Sequence, residues 1–227
     1  MINWKSLGLF MLTLFLILSL LSGGVWFSYG KALAFIGEMM PELKVVPQGL
    51  LVYSPDESLE KNFRTYNGRG YSLLIPKDAQ VEEKEKDPNL YIYDGDSRWS
   101  MVLNEKLIRY ENSIVSDKHL INPDGDYYVL LKNIYEATAD PVLLFQKKYH
   151  LPSRTKKITN IKTPYCEGFL IITESSAAKY YYYRLFDDDY WYNASVTLYD
   201  DEGDITIKMM MGSLKNYESP EETDILQ

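Results

Sequence analysis

The chain has 227 residues, with 24 Lys and Arg against 32 Asp and Glu, so its formal net charge at pH 7 is −8. That acidic balance argues against a nucleic-acid-binding protein, which needs a basic face, and suits a domain that resists non-specific association. Cys166 is the only cysteine; no internal disulfide can form, and the fold must rest on its core.

The head is organised around the uncharged run from Ser6 to Gly30. From Leu7 to Phe27 a helix rising about 1.5 Å per residue spans roughly 30 Å, the thickness of a bilayer's hydrocarbon core. Trp4, Trp26 and Tyr29 lie near its ends, where aromatic rings favour the headgroup interface. The expectation is a retained signal-anchor over residues 1–30, with the C-terminal domain extracytoplasmic. The alternative is a cleaved signal peptide, because Ala32-Leu33-Ala34 supplies an Ala-x-Ala site, though well past the dense apolar core that ends at Leu21.

Residues 31–55 read as a juxtamembrane linker, punctuated by Pro41, Pro47 and Pro55 and holding a short strand near Leu50 to Tyr53. Asp56 to Asn62 has room for one or two helical turns. Asn67-Gly68 between Phe63–Tyr66 and Tyr71–Ile75 predicts a β-hairpin, since both turn residues tolerate positive φ. Val81 to Asp87 is a solvated loop or edge. Leu90–Tyr93 and Trp99–Leu103 form a second hairpin around Asp94-Gly95-Asp96; Glu105 to Asp117 reads either way.

Asp126 is placed to cap a helix over Tyr127 to Thr138, where Val129, Leu130, Leu131, Ile134 and Tyr135 recur at helical spacing. Asp140-Pro141 restarts a helix as cap and first-turn proline, and Pro152 stops it. Lys157–Lys162, Gly168–Thr173, Ala178–Phe186 and Tyr190–Tyr199 then read as strands, the last two joined by Asp187-Asp188-Asp189. Asp200 can cap a final helix carrying Ile205, Met209, Met210 and Leu214. The fold class is therefore α+β: an antiparallel sheet flanked by helices, in a single domain over residues 56–217, preceded by the transmembrane helix and followed by an acidic tail at 218–227.

Gly70-Tyr71-Ser72-Leu73-Leu74-Ile75-Pro76-Lys77 resembles the opening strand of PsbP-like proteins. The meander from Phe169 to Tyr199 and the close at Gly212-Ser213-Leu214-Lys215 are similar to that family's last third. The resemblance covers roughly residues 50 to 217 and implies an exported domain with an antiparallel sheet and helices on both sides. The family is mainly non-catalytic, and its photosynthetic members stabilise a membrane complex. This chain departs from it in the long section from His119 to Lys157, and no functional residue carries over.

No catalytic constellation stands out. His119 and His150 stand far apart, with no Gly-x-Ser-x-Gly turn to serve a triad. Cys166, between Tyr165 and an apolar run, reads as a buried thiol. Asn122 to Asp126 alternates oxygen ligands as a calcium loop does, but Tyr127 stands where that loop needs Gly and Asn133 where it needs Glu. Asp187–Asp189 and Asp200–Asp204 read as turns and caps. No metal or other cofactor is expected.

The binding candidates are Tyr181, Tyr183, Tyr190, Trp191 and Tyr192, whose alternation on adjacent strands gathers rings on one sheet face. Lys147, Lys148, Arg154, Lys156 and Lys157 make a basic patch suited either to anionic headgroups or to a solvated helix end. The expected function is a membrane-anchored extracytoplasmic accessory domain that binds a partner protein or envelope polymer without catalysis. The alternative is an envelope hydrolase that acts on wall polysaccharide through paired carboxylates.

Overall fold

The computed structural model describes residues 40–68, 70–84, 86–107, 126–188, 190–201 and 203–217. The chain falls into two compact units, Met1–Lys44 and Val45–Gln227. Of the first, only a 3-10 turn at Pro41–Lys44 and the residue before it are described. The expected transmembrane segment and the acidic tail lie outside the described residues. Among the described residues no helix is long and apolar enough to cross a membrane.

The second unit is a mixed α+β fold. In chain order it comprises β1 (Pro47–Val52), the single-turn α1 (Glu57–Glu60), β2 (Phe63–Asn67), β3 (Tyr71–Pro76), β4 (Gln80–Glu83), β5 (Leu90–Tyr93) and β6 (Trp99–Leu107). There follow α2 (Tyr127–Glu136), α3 (Pro141–His150), β7 (Thr155–Lys162), β8 (Glu167–Glu174), β9 (Lys179–Phe186), β10 (Tyr190–Leu198), α4 (Gly203–Ser213) and the two-residue β11 (Lys215–Asn216). Eight strands form one sheet in the order β1-β7-β8-β9-β10-β6-β5-β4, and β11-β3-β2 form a second.

Both predicted hairpins are present. Gly68 N donates to Tyr71 O at 2.8 Å, and Asp94 N to Trp99 O at 3.1 Å across the other turn. Asn67, expected in the first turn, ends β2 opposite Ser72, and neither it nor Gly68 has positive φ. The meander β7 to β10 is antiparallel throughout, and β10 pairs with β6 along its whole length. One pair departs from the antiparallel expectation. β1 runs parallel to β7, with Leu50 opposite Asn160 and Val52 opposite Lys162. It comes from the stretch read as linker. More than half of the domain separates it from β7, so no tight turn dictates its direction.

Alternation along the strands divides the core in two. On one face Ile161, Leu170, Tyr183, Leu185, Tyr192, Val196, Met101 and Ile92 pack with Ile207, Met210 and Met211 of α4 and with Leu73 and Ile75 of the small sheet. On the other, Ile158, Phe169, Ile171, Phe186 and Trp191 pack under Tyr127, Leu131, Ile134 and Tyr135 of α2. Two-sided burial explains why β8 reads as a nearly continuous apolar run. Ile205, expected on the buried side of the last helix, is 60% exposed instead. Ile207, Met210 and Met211 occupy the sheet-facing positions of α4.

The helix starts obey the capping rule. Asp126 Oδ1 accepts from Tyr128 N at 2.7 Å and Val129 N at 3.2 Å. Asp140 Oδ1 accepts from Val142 N at 2.8 Å and Leu143 N at 3.0 Å. The α2–α3 pair is tied at its other end by Lys147, a fully buried side chain whose Nζ donates to Ala137 O at 3.0 Å. Ala137 follows α2 directly, so this lysine supplies a donor to a carbonyl at the helix end.

Candidate functional site

The ring-rich hairpin β9–β10 divides its aromatic residues between the two faces. Tyr181, Tyr183, Tyr190 and Tyr192 face the α4 side and Trp191 faces the α2 side. Tyr183 and Tyr192 are fully buried, Trp191 is 5% exposed, and Tyr181 and Tyr190 are half-buried. Tyr183 meets Tyr53 and Tyr181 edge-on, each at 6.4 Å between centroids, and Tyr192 meets Tyr71 at 6.3 Å. Burial pushes the Tyr183 phenol well above its ordinary range and the Tyr53 phenol up to about 12. On the other side Trp191 lies 5.2 Å from Tyr127 and is stacked on Phe186 at 6.1 Å. The five rings are thus not gathered on one open face, because α4, the small sheet and α2 cover the faces they occupy.

A cleft opens next to them, at the end of the large sheet. It has a volume of about 450 Å³ and lies among the β7–β8 turn, the β9–β10 turn and the start of α2. Its floor follows one row of the ladder on the α2 side: Lys162 opposite Glu167, and Glu167 opposite Phe186. Asp126 and Tyr128 wall it from α2, Thr163 to Cys166 from one turn, and Asp187 and Asp188 from the other.

Tyr128 is held by ring contacts, stacked on Phe169 at 5.6 Å and tilted against Phe186 at 5.2 Å. Thr163 orders its own turn, with Oγ1 accepting from Cys166 N at 2.8 Å and Tyr165 N at 3.2 Å. Tyr165 stands 49% exposed at the rim, with Lys215 Nζ 5.4 Å from its ring centroid.

Four carboxylates surround this space. Asp126 is engaged as the α2 cap. Asp187 Oδ1 accepts from Tyr190 N and Oδ2 from the Tyr192 hydroxyl, both at 2.7 Å. The aromatic hairpin therefore contributes by fixing the Asp187 turn rather than by lining the cleft. Glu167 and Asp188 complete the acidic side. Cys166 is directed away from nucleophilic chemistry. Burial first, and the Asp187 charge second, push its thiol up to about 12, and Sγ hydrogen-bonds the Leu214 carbonyl at 3.6 Å.

Tyr128, Tyr165 and Glu167 carry no signal of a site in the sequence, and Asp188 was legible only as part of a turn. Each looks ordinary in its own segment, and only the Asp126 cap and the triple-Asp turn carried a local signal. Of the other candidates, His150 is half-buried, its pKa lowered by burial and then by the Arg184 charge. His119 lies outside the described residues, as does all of the calcium-loop candidate except Asp126. Among the described residues no group of three or more His, Cys, Asp or Glu is placed to hold a metal ion.

No family model matches the chain, and no curated protein does. Among the solved structures similar to it are two that differ in length. One is a crystal structure from Bacteroides thetaiotaomicron VPI-5482, 9% identical over 70% of this chain and 49% of that one, at a TM-score of 0.37. The chain thus spans about half the length of that protein. The other is the solution structure of cyanobacterial PsbP (CyanoP) from Synechocystis sp. PCC 6803, 10% identical over 69% of this chain and 93% of that one, at a TM-score of 0.28. The PsbP-like resemblance noted in the sequence thus recurs as a weak structural one. At these scores neither likeness bears on the site.

Proposed function

We propose that the chain is a membrane-anchored extracytoplasmic accessory domain, and that the cleft at the sheet end binds a cationic group of a partner protein or envelope component. The observation that carries this reading is the composition of the cleft. Asp126, Glu167, Asp187 and Asp188 stand among the rings of Tyr128, Tyr165 and Phe186 and outnumber the lysine of the lining, Lys162. Carboxylates attract an ammonium or guanidinium, and ring faces accept its apolar stem or the cation itself.

Two of the four carboxylates are fixed by backbone and hydroxyl donors, which pre-organises the charge and lowers the ordering cost of binding. The anchor rests on the uncharged run from Ser6 to Gly30, which is long enough to span. A hydrolase would need two carboxyls roughly 5–9.5 Å apart and open to a sugar. The engagement of Asp126 and Asp187 in cap and turn favours recognition over that use.

The test is in-membrane photo-crosslinking of the full chain with a photoreactive group at Tyr165. A discrete adduct, lost in the double variant Glu167→Lys, Asp188→Lys, is the expected result. An adduct indifferent to charge reversal would remove the cleft from the reading. Release of reducing sugar from wall polymer, abolished by Glu167→Gln, would establish the hydrolase instead.

A further inference from the structure

Helix α3 turns an apolar stripe outwards. Val142, Phe145 and Tyr149 are 53%, 59% and 67% exposed, although a helix packed on a folded domain normally directs such residues inwards. They recur at helical spacing, so they lie along one side, and the Phe145 and Tyr149 rings meet edge-on at 5.0 Å. The opposite side is the one that packs. Leu143 lies against the α2 core, and Lys147 is fully buried.

The segment that carries the stripe is basic in an acidic chain. From Pro141 to Cys166 there are six Lys or Arg residues and no Asp or Glu, in a protein of net charge −8. Lys147 among them is buried and Lys162 lines the sheet-end cleft, and the exposed Asp140 cap precedes the helix. Lys148 sits exposed on the outer side of α3, and Arg154, Lys156 and Lys157 are exposed directly after the helix. Aromatic and aliphatic side chains flanked by cations are the composition of a helix face that lies in a bilayer interface. Rings settle at the headgroup level while Lys and Arg meet anionic phosphates.

We propose that the outer face of α3, with Lys148, Arg154, Lys156 and Lys157, docks on an anionic lipid surface. The surface is separate from the sheet-end cleft, and only the nearness of a bilayer rests on the anchor reading. A second copy of the chain fits this face less well. A whole aromatic side chain offers about 150–250 Å², so three partly exposed side chains fall short of the roughly 800 Å² that each member of a stable pair buries. A two-fold contact would also set like charges against each other.

The test uses the full chain, reconstituted into phosphatidylcholine vesicles with and without phosphatidylglycerol, with a nitroxide on Phe145→Cys. Buried Cys166 is the only other thiol. A second sample carries the nitroxide on Leu16→Cys to report the anchor. Docking predicts that, in phosphatidylglycerol vesicles, the Phe145 label becomes shielded from a water-soluble nickel relaxant and accessible to oxygen. The triple variant Lys148→Glu, Lys156→Glu, Lys157→Glu should abolish that shielding and leave the Leu16 label unchanged.

Equal nickel accessibility in both vesicles overturns the proposal. So does shielding that persists in detergent, which would mean that protein covers the face, or shielding that survives charge reversal. A water-exposed Leu16 label would remove the anchor reading alone, and the Phe145 signal from the same vesicles would still decide the docking face.

Discussion

The Ser213 hydroxyl accepts the Leu74 amide at 2.8 Å and donates to the Met210 carbonyl at 2.9 Å. Lys215 pairs with Ser72 and Asn216 with Tyr71, so continuing that register would set Ser213 opposite Leu74. The side-chain oxygen thus does for β3 what a third residue of β11 would do, while Ser213 itself still ends α4. This hydroxyl adds a hydrogen bond between the last helix and the small sheet to the packing of Met210 and Met211 with Leu73 and Ile75.

Ser213→Ala should therefore leave a strand amide without its acceptor. Ser213 is 7% exposed, so water does not readily replace it. The expected cost is about 1–3 kcal/mol, read as a lower denaturation midpoint at an unchanged denaturant slope. An unaltered midpoint would show that the helix end and the strand are held by packing alone.

Trp191→Ala removes a ring enclosed by Tyr127 and Phe186. The expected loss is about 3–5 kcal/mol, seen as a large fall in the melting temperature. A small effect would mean that α2 can settle onto the vacated space.

Cys166 should resist alkylation. With its thiol pushed up to about 12, the thiolate fraction at pH 8 is on the order of one in ten thousand. Iodoacetamide should leave the native chain unmodified by mass over the time in which the urea-unfolded chain reacts completely. A matching native rate would contradict the burial of this turn.

Lys147 makes stability depend on alkaline pH. Burial lowers its amine from the ordinary 10.5 to about 8. Between those values the folded chain binds fewer protons than the unfolded one, so stability rises with pH across that window. The full effect is on the order of 3 kcal/mol. Tyr53, raised to about 12, acts the other way above pH 10, because there the folded chain keeps the proton. The difference in unfolding free energy between the wild type and Lys147→Met isolates the lysine. It should change between pH 8 and 10.5 and stay constant between pH 6 and 7; a flat difference throughout would show that the ammonium is solvated.

The elements that were legible in the chain are those whose cause lies within a few residues. Asp126 and Asp140 mark helix starts because a carboxylate reaches amides two and three residues on. The break at Asn67-Gly68 marked a hairpin between two strand-like runs, although Asn67 ends β2 opposite Ser72 and neither residue takes the positive φ expected there. The β9–β10 pair followed from two ring-rich runs around three aspartates, but the expectation grouped Trp191 with Tyr190 and Tyr192, whereas strand alternation sets it on the opposite face. Whether either face was open was not local information. It depends on α4 and the small sheet arriving on one side and α2 on the other.

By itself, then, the sequence determined the α+β class, the Asp126 and Asp140 helix caps, the hairpins and the β9–β10 pair, all through short-range hydrogen bonding and side-chain alternation. Tertiary structure alone decided that β1 joins β7 in parallel and that Ser213 stands in for a strand. It also buried Lys147 and brought Tyr128, Tyr165, Glu167 and Asp188 from separate segments to one cleft. These are contacts between residues distant in sequence. Their energies depend on burial and on which groups meet, and no short stretch of chain encodes either.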